Sequence, residues 1–327
     1  MSLAPYIRTL GRGPSRARSL TQDEARAAME IILSGEAPGE AVGGLLMLLR
    51  YRGESAAEIA GLTEAVLAEM DDWSSVPATL DWPTYAAGRS RGRPLFLLSA
   101  KLLAAAGQRV LLHGWNSHQS AIASVRDALP SLGIGVVETP DAARREMATS
   151  GLVYLPLEAL SRPAYDLIRL RDVLGLRSCI NTVLRMVNPA GAPAMVQGVF
   201  HPTYRNLQSD AAQLLGQASL LVLKGGGGEF ERHPGKSIQA YGLIGGEEQT
   251  FSPPILMEET RRLHEPDMPS PPLADLWSGA ARDPFAEATV IGTAALALIA
   301  AGQCKTMAEA DKTAAALWAS RSHKTAA

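Results

Sequence analysis

The first seventy residues repeat apolar positions with the period of an α-helix. Thr21 and Glu24 form a capping-box pattern, and the apolar residues after them keep helical spacing as far as Gly35. A second helix is predicted to end at Gly53, and Ser55 is placed to open a third. The amino-terminal part of the chain is therefore predicted to be a bundle of helices.

Beyond about residue 74, short β-like runs alternate with helical stretches. These runs are RVLLH (109–113), LVYLP (152–156), AMVQGVF (194–200) and SLLVLK (219–224). Strands that alternate with helices predict an α/β domain with a mainly parallel central sheet and flanking helices. Ligands of such sheets usually bind beyond the carboxyl ends of the strands. The candidate cleft residues that follow strands are His113, Gly114, Gly225 and Gly226.

Composition places the chain among globular proteins, because 46% of its 327 residues are hydrophobic and 20% are charged. No window approaches eighteen uninterrupted apolar residues, so we expect no membrane span. The only cysteines are Cys179 and Cys304, without a CxxC motif or metal-ligand spacing. This pattern favours a reducing, cytoplasmic location with both cysteines in packing roles.

The net charge of −2 means that binding of a polyanion would need a local concentration of basic residues. Arg89, Arg91 and Arg93 alternate in a glycine-rich stretch, and alternate residues of an extended loop point the same way. Three such guanidinium groups suit phosphate oxygens. A solvated surface loop predicts the same residues, and Asp81 is the nearby acid that could neutralise them.

A second basic group follows the last predicted strand. Lys224 ends that strand at a run of four glycines, and Arg232 and Lys236 come shortly afterwards. A glycine-rich loop after a strand can bind a phosphate, although a turn with unusual backbone angles needs glycines as well.

The order of these segments resembles the anthranilate phosphoribosyltransferase family nearly from end to end. The resemblance is carried by residues 35–62, AAAGQRVLLHG (104–114), LRDVLGLRSCINTVLRMVNPAGA (170–192) and GTAALALIAAG (292–302). It implies a helical, dimerising domain formed by 1–73 with 162–184, and an α/β domain formed by 74–161 with 185–327. It also implies that His113 and Asn116 hold the ribose-binding turn, and that Arg171 is the arginine that meets the acceptor's carboxylate.

Other segments depart from the family pattern. The family binds the diphosphate of phosphoribosyl pyrophosphate with Gly-Thr-Gly-Gly-Asp, but the aligned residues 87–93 carry the three arginines, and residues 95–97 are apolar. The family's metal-binding Asp-Glu pair aligns with Phe230 and Glu231, so one carboxylate of two is lost. Mg²⁺ bound through a single carboxylate is weak.

These departures resemble a branch of the family that binds nucleic acid. The leading hypothesis is a non-enzymatic, sequence-independent nucleic-acid-binding homodimer without catalytic residues, metal or cofactor. Its phosphate-binding residues would be Arg89, Arg91, Arg93, Arg171, Arg185, Lys224, Arg232 and Lys236, in a cleft lined by His113, Gly114, Asn116, Gly225, Gly226 and Glu231.

Two alternatives stay open. One is a phosphoribosyltransferase of altered specificity that transfers phosphoribosyl to an aromatic or nitrogenous acceptor with Mg²⁺. The other is a regulator that binds a small anion or a nucleotide. The dimer is predicted to form through the amino-terminal helices, on the apolar stripe Val42, Leu46 and Leu49.

Overall fold

A computed structural model of the chain describes residues 2–13, 15–86, 92–115, 120–258 and 270–321. The amino-terminal helices are α1 Ala4–Gly11, α2 Gln22–Leu33, α3 Gly39–Arg52 and α4 Ala56–Glu69. Both expected capping boxes are present, since the hydroxyls of Thr21 and Ser55 each accept the backbone N–H three residues ahead. The helical opening predicted from the periodicity is therefore confirmed.

Tight packing of α2 on α4 holds this bundle together. A β-carbon built on Gly61 of α4 would lie 2.0 Å from the carbonyl oxygen of Gln22, so the crossing requires glycine. Val42, Leu46 and Leu49 are buried in the same core. The apolar stripe expected at a dimer interface is thus covered within one chain, and dimerisation through these helices stays a prediction.

Eight strands of the described residues form one sheet in the order β3-β4-β2-β1-β5-β6-β7-β8. Their bounds are β1 Leu80–Thr84, β2 Val110–Gly114, β3 Gly135–Val136, β4 Leu152–Pro156, β5 Ala194–Val199, β6 Ser219–Lys224, β7 Ala240–Ile244 and β8 Glu247–Phe251. The pairs from β3 to β6 are parallel, and β7 and β8 add an antiparallel edge. The mainly parallel sheet is confirmed.

The remaining helices flank this sheet. They are α5 Phe96–Ala105, α6 Val125–Ala128, α7 Pro140–Ser150, α8 Leu157–Leu160, α9 Arg162–Leu174, α10 Ile180–Met186, α11 Tyr204–Leu214, α12 Leu273–Ser278, α13 Pro284–Ala300 and α14 Met307–Ser320. Side chains of alternate strand residues enter two separate hydrophobic cores, as expected for a sheet buried on both faces. Trp82 and Phe230 pack in the core that contains α5 and α13.

The other core joins the sheet to the amino-terminal bundle. Leu111 and Val153 of the sheet share it with residues of α4, and α10 and α11 pack directly on α4. Cys179 is buried there, whereas Cys304 is buried in the opposite core. Within the described ranges, no helix is long and apolar enough to cross a membrane. The predicted small helical part and larger α/β part are both present.

Candidate functional site: an arginine-lined cavity beside a glycine loop

A cavity of about 400 Å³ lies where the ends of three helices meet. Arg50, Arg171 and Arg185 come from the last turns of α3, α9 and α10, and Arg177 lies between α9 and α10. The partial negative charge at the end of a helix favours a cation there, which explains why arginines suit these positions. None of the described residues that line the cavity is acidic. The cavity is therefore strongly cationic.

Arg185 is the most enclosed of these arginines, with a relative exposure of 9%. Its guanidinium donates to the backbone oxygens of Tyr85 and Asn181, at 3.0 and 3.3 Å. Burial lowers the pKa of Arg185 to about 10, and the nearby carboxylate of Glu229 acts in the opposite direction. Arg185 therefore keeps its charge at neutral pH.

Arg171 and Arg177 bring two further positive charges to the cavity wall. The Nη1 atom of Arg171 is buried and has no hydrogen-bond partner among the described residues. Burial lowers the pKa of Arg177, and the charges of Arg171 and Arg50 lower it further. An anion in the cavity would accept a hydrogen bond from Arg171 and reduce the repulsion between the arginine side chains.

The glycine run after β6 folds tightly onto β5. A β-carbon on Gly225 would lie 1.7 Å from the backbone oxygen of Glu229, and one on Gly198 would lie 2.0 Å from its carbonyl carbon. At the end of the run, a β-carbon on Gly228 would lie 3.5 Å from Nη2 of Arg185. The glycine loop, which includes Gly226, therefore adjoins the arginine-lined cavity.

Two buried glutamates follow this loop and contact both ends of the segment between β1 and α5. Glu229 Oε1 accepts a hydrogen bond from the backbone N–H of Ala86, and Glu231 Oε2 accepts one from Phe96, each at 3.2 Å. Phe96 is the first residue of α5, where the helix dipole favours negative charge. The sequence alignment suggested one carboxylate here, but the structure has two.

His113 lies inside the protein rather than on an open cleft, because its side chain is fully buried at the end of β2. Its Nε2 is 3.2 Å from Asp81 Oδ2, and its Nδ1 is 3.0 Å from the hydroxyl of Tyr85. Burial raises the pKa of Asp81, while His113 favours its ionised form. The expectation that Asp81 neutralises the loop arginines is wrong, since Asp81 is enclosed with His113. Gly114 next to it is packed against the backbone of Thr84.

Arg232 has a different environment from the one predicted for it. It is 1% exposed, its Nη1 lies 3.0 Å from Asp311 Oδ1, and its other terminal nitrogen donates to the carbonyl of Pro254. The positive charge of Arg232 is therefore compensated by the carboxylate of Asp311, which belongs to α14. The prediction that Arg232 binds phosphate is wrong, because its side chain is enclosed and paired with Asp311.

The other predicted residues are distributed as follows. Arg93 donates to the backbone oxygen of Ser270 at 3.1 Å. Lys224 and Lys236 are exposed near the glycine loop. Arg89, Arg91 and Asn116 lie outside the described residues. The cavity thus brings Arg171 and Arg185 together and adds Arg50, Arg177, His201 and Tyr204 to them.

The two glutamates are the candidate metal ligands of this region. Glu229 and Glu231 form a pair of carboxylates on one loop. Such a pair suits a cation that takes its remaining ligands from a substrate and water. The described ranges contain no group of three or more His, Cys, Asp or Glu side chains that could hold a metal ion by themselves.

The fold agrees with comparisons with known proteins. The helical bundle domain of the glycosyl transferase family matches residues 4–70, and the a/b domain of that family matches residues 95–321. The chain belongs to this glycosyl transferase family.

Curated relatives give a finer description. An anthranilate phosphoribosyltransferase from Geobacillus kaustophilus is 29% identical over 307 residues, which cover 89% of this chain and 88% of the relative. Another from Mesorhizobium japonicum is 31% identical over 234 residues, covering 72% of this chain and 69% of the relative. The resemblance to anthranilate phosphoribosyltransferases is therefore confirmed.

Solved structures share the fold. The anthranilate phosphoribosyltransferase of Thermus thermophilus superposes with a TM-score of 0.80 at 24% identity, covering 98% of this chain and 96% of that one. The enzyme from Saccharomyces cerevisiae, solved in complex with PRPP and Mg, gives 0.77 at 17% identity, with 98% and 94% covered.

These relatives contradict the leading hypothesis from the sequence. Matches that span most of the chain are named as phosphoribosyltransferases, so the prediction of a non-enzymatic nucleic-acid-binding protein is wrong. The geometry gives a physical reason for part of the error. Arg232, which was assigned to a basic groove, is enclosed in the protein and paired with Asp311. The alternative of altered phosphoribosyl transfer is the better supported one.

Proposed function

We propose that this chain is a phosphoribosyltransferase of altered specificity, which transfers phosphoribosyl from phosphoribosyl pyrophosphate to an aromatic or nitrogenous acceptor that carries an acidic group. The family membership and the curated relatives support the class of reaction. The proposed donor and acceptor sites adjoin at Gly228 and Arg185. Reaction between two bound molecules requires such adjacent sites.

The donor's diphosphate would bind at the start of α5. The helix dipole there favours an anion, and Glu229 and Glu231 accept hydrogen bonds from the two ends of the segment that leads to this helix. These two carboxylates fit a Mg²⁺ ion that takes its other ligands from phosphates and water. When bound, Mg²⁺ would neutralise charge that develops on the diphosphate leaving group.

The acceptor would bind in the arginine-lined cavity. Arg171 lines the cavity, its buried Nη1 lacks a partner among the described residues, and a carboxylate or phosphate that reaches this guanidinium would satisfy it. Asn181 and Tyr204 line the same cavity and can orient a neutral part of the ligand. These side chains bind and orient the acceptor, and positioning of this kind is a large part of the rate of a two-substrate reaction.

Altered specificity follows from what surrounds the donor site. Leu95, Phe96 and Leu97 are buried in the core, so no side-chain hydroxyl is offered by these residues at the start of α5. A diphosphate would depend on Mg²⁺ held by the two glutamates and on basic residues of the adjoining segments. We therefore expect an affinity for phosphoribosyl pyrophosphate different from that of enzymes with the Gly-Thr-Gly-Gly-Asp loop.

The observation that carries this proposal is the pair of buried glutamates, Glu229 and Glu231, that bind the two ends of the segment between β1 and α5, next to an arginine-lined cavity. Release of diphosphate from phosphoribosyl pyrophosphate and Mg²⁺ should be measured with anthranilate, other aminobenzoates, pyridine carboxylates and purines. We expect release that depends on at least one acceptor.

Glu231→Gln should lower kcat/KM about 100-fold, because electrostatic groups at a reacting centre commonly contribute that much. Glu248→Gln is the matched control, since Glu248 is an exposed glutamate of β8. Absence of acceptor-dependent diphosphate release across the panel would contradict the proposed function.

A further inference from the structure

The arginines of the cavity concentrate positive charge at one place. Arg177 lies close enough to Arg171 and Arg50 for both of their charges to lower its pKa. The cavity wall carries four guanidinium groups, and none of its described lining residues is acidic. Outside the wall, the carboxylate of Glu229 acts on Arg185 and that of Glu54 interacts with Arg50, so two carboxylates face four guanidinium groups. The cavity therefore has an excess of positive charge when no ligand is bound.

The cavity has apolar surface beside its arginines. Arg171 also borders a much smaller cavity of about 10 Å³, which has room for about one water molecule. A ligand group must therefore reach Arg171 from the 400 Å³ side. Leu176 and Phe200 line that side and are 52% and 56% exposed, so they offer apolar surface to a planar ring.

One carboxylate carries a single charge, which one guanidinium group neutralises. It would therefore leave the charges of the other guanidinium groups that line the cavity uncompensated. A phosphate monoester, or two neighbouring carboxylates, carries about two negative charges and enough acceptor oxygens for two forks. The number of charges and donors on the cavity wall therefore fits a dianion better than a monoanion.

We infer that the arginine-lined cavity selects a planar ligand bearing a dianionic group, either a phosphate monoester or a pair of adjacent carboxylates, over a ligand with one carboxylate. The role of this ligand as the acceptor rests on the proposed phosphoribosyl transfer, whereas the binding of the ligand does not. Arg177 and Arg185 then determine specificity, and Arg171 provides the unsatisfied donor.

Calorimetric titration of the full chain, without phosphoribosyl pyrophosphate or metal, tests the selection directly. The probes are phenyl phosphate, phthalate and benzoate, at pH 7.5 and constant ionic strength. We expect phenyl phosphate or phthalate to bind at least about tenfold more tightly than benzoate, since one additional charge pair at a partly enclosed site contributes that much or more. The tighter of the two identifies the kind of dianion.

Variants then locate the site. Arg50→Gln and Arg185→Lys should each reduce the preference for the dianion several-fold, with Arg50 serving as the exposed position that cannot disturb the core. Arg52→Gln is the matched control, because Arg52 is an exposed arginine of the same helix that does not line the cavity. Equal affinity for benzoate, no binding of any probe, or a preference unchanged in both variants would overturn the inference.

The two proposals fail separately. Tight dianion binding without diphosphate release in any assay would contradict phosphoribosyl transfer and support the inferred selectivity. Diphosphate release that is equally efficient with monocarboxylate and dianionic acceptors would support transfer and overturn the selectivity.

Discussion

Arg232 and Arg185 are both almost enclosed, but they lie in regions of the molecule that use the charge differently. Arg232 packs between the glycine loop and α14, where Nη1 is 3.0 Å from the carboxylate of Asp311. Arg185 borders the cavity, and its guanidinium is held by the carbonyl oxygens of Tyr85 and Asn181. Carbonyl oxygens orient a guanidinium without neutralising it.

The difference between these regions separates a structural charge from one that can serve a ligand. A buried ion pair loses much stability when one partner is removed, because the other charge is left uncompensated. A charge that is oriented by dipoles beside a cavity keeps its field for an incoming anion. Electrostatic environment, more than burial, therefore distinguishes the two arginines.

The largest expected effect is on stability, at the paired arginine. Asp311→Ala should lower the free energy of unfolding by about 3 kcal/mol, because Arg232 would keep its charge in a nearly closed site. Urea denaturation measures this change. Arg282→Ala removes an ion pair whose arginine is 81% exposed, and should cost far less than Asp311→Ala. A loss below about 1 kcal/mol in Asp311→Ala would remove the distinction between the two regions.

At the cavity the expected effect is on ligand binding instead. Arg171→Met should raise the KM for the acceptor about 10- to 100-fold, as expected for loss of a hydrogen bond to a charged group. Its free energy of unfolding should change little, because a buried donor without a partner among the described residues is removed. Steady-state kinetics and urea denaturation give both numbers.

Arg169→Met provides the comparison for that variant. Arg169 lies on the same helix, is exposed, and contacts the ring of Tyr165 rather than the cavity. The KM of this variant for the acceptor should stay within about twofold of the wild-type value. An equal rise of KM in both variants would show that α9, and not the cavity, is being perturbed.

A third buried charge gives a smaller effect that depends on pH. Burial raises the pKa of Asp81 above its usual 3.8. Protonated Asp81 therefore contributes stability that is fully present below pH 3.8, and this contribution is lost as the pH rises through the folded-state pKa. Asp81→Asn should therefore gain stability relative to the wild type at pH 7, and less at pH 4. Urea titrations at both pH values measure the gain, and a gain that does not change with pH would contradict the assignment.

The smallest effect is expected for an exposed pair. The hydrogen bond from Arg18 and that from the backbone of Thr21 lower the pKa of Glu24 from 4.5 to about 2. The stability from this pair is present above pH 4.5 and is lost as the pH falls towards 2. Because the pair is largely solvated, Glu24→Gln should cost less than about 1 kcal/mol at pH 7 and nothing at pH 2. A larger cost at pH 7 would mean that solvation does not separate this pair from the buried one.

Much of the fold could be predicted from local patterns. β4 and β6 have the same bounds as the predicted runs, since both are continuous apolar segments of a buried parallel sheet. β1 was missed because Asp81 and Pro83 interrupt its apolar residues. Asp81 is tolerated there only through its contact with His113, a residue 32 positions away. No local pattern contains that partner.

The site was predictable only in part for the same reason. Arg171 and Arg185 stood out in one segment that resembles the family, but Arg50 joins them from a helix far away along the chain. Glu229 was not predicted, because the family's Asp-Glu pair matches positions 230 and 231. Alternate residues of an extended segment share a side, which brings Glu229 and Glu231, rather than two neighbours, to the same site. Arg232 was misjudged because its partner Asp311 is 79 residues away.

Direct binding of the donor tests the account most closely. Calorimetric titration of phosphoribosyl pyrophosphate, with and without Mg²⁺, should be compared for the wild type, Glu229→Gln/Glu231→Gln and Glu248→Gln. We predict binding that requires Mg²⁺, is unchanged in Glu248→Gln, and is weakened at least about tenfold in the double variant, which retains its hydrogen-bond acceptors but has lost two charges. No binding by the wild type in the presence of Mg²⁺, or equal binding by the double variant, would contradict a donor site at the start of α5.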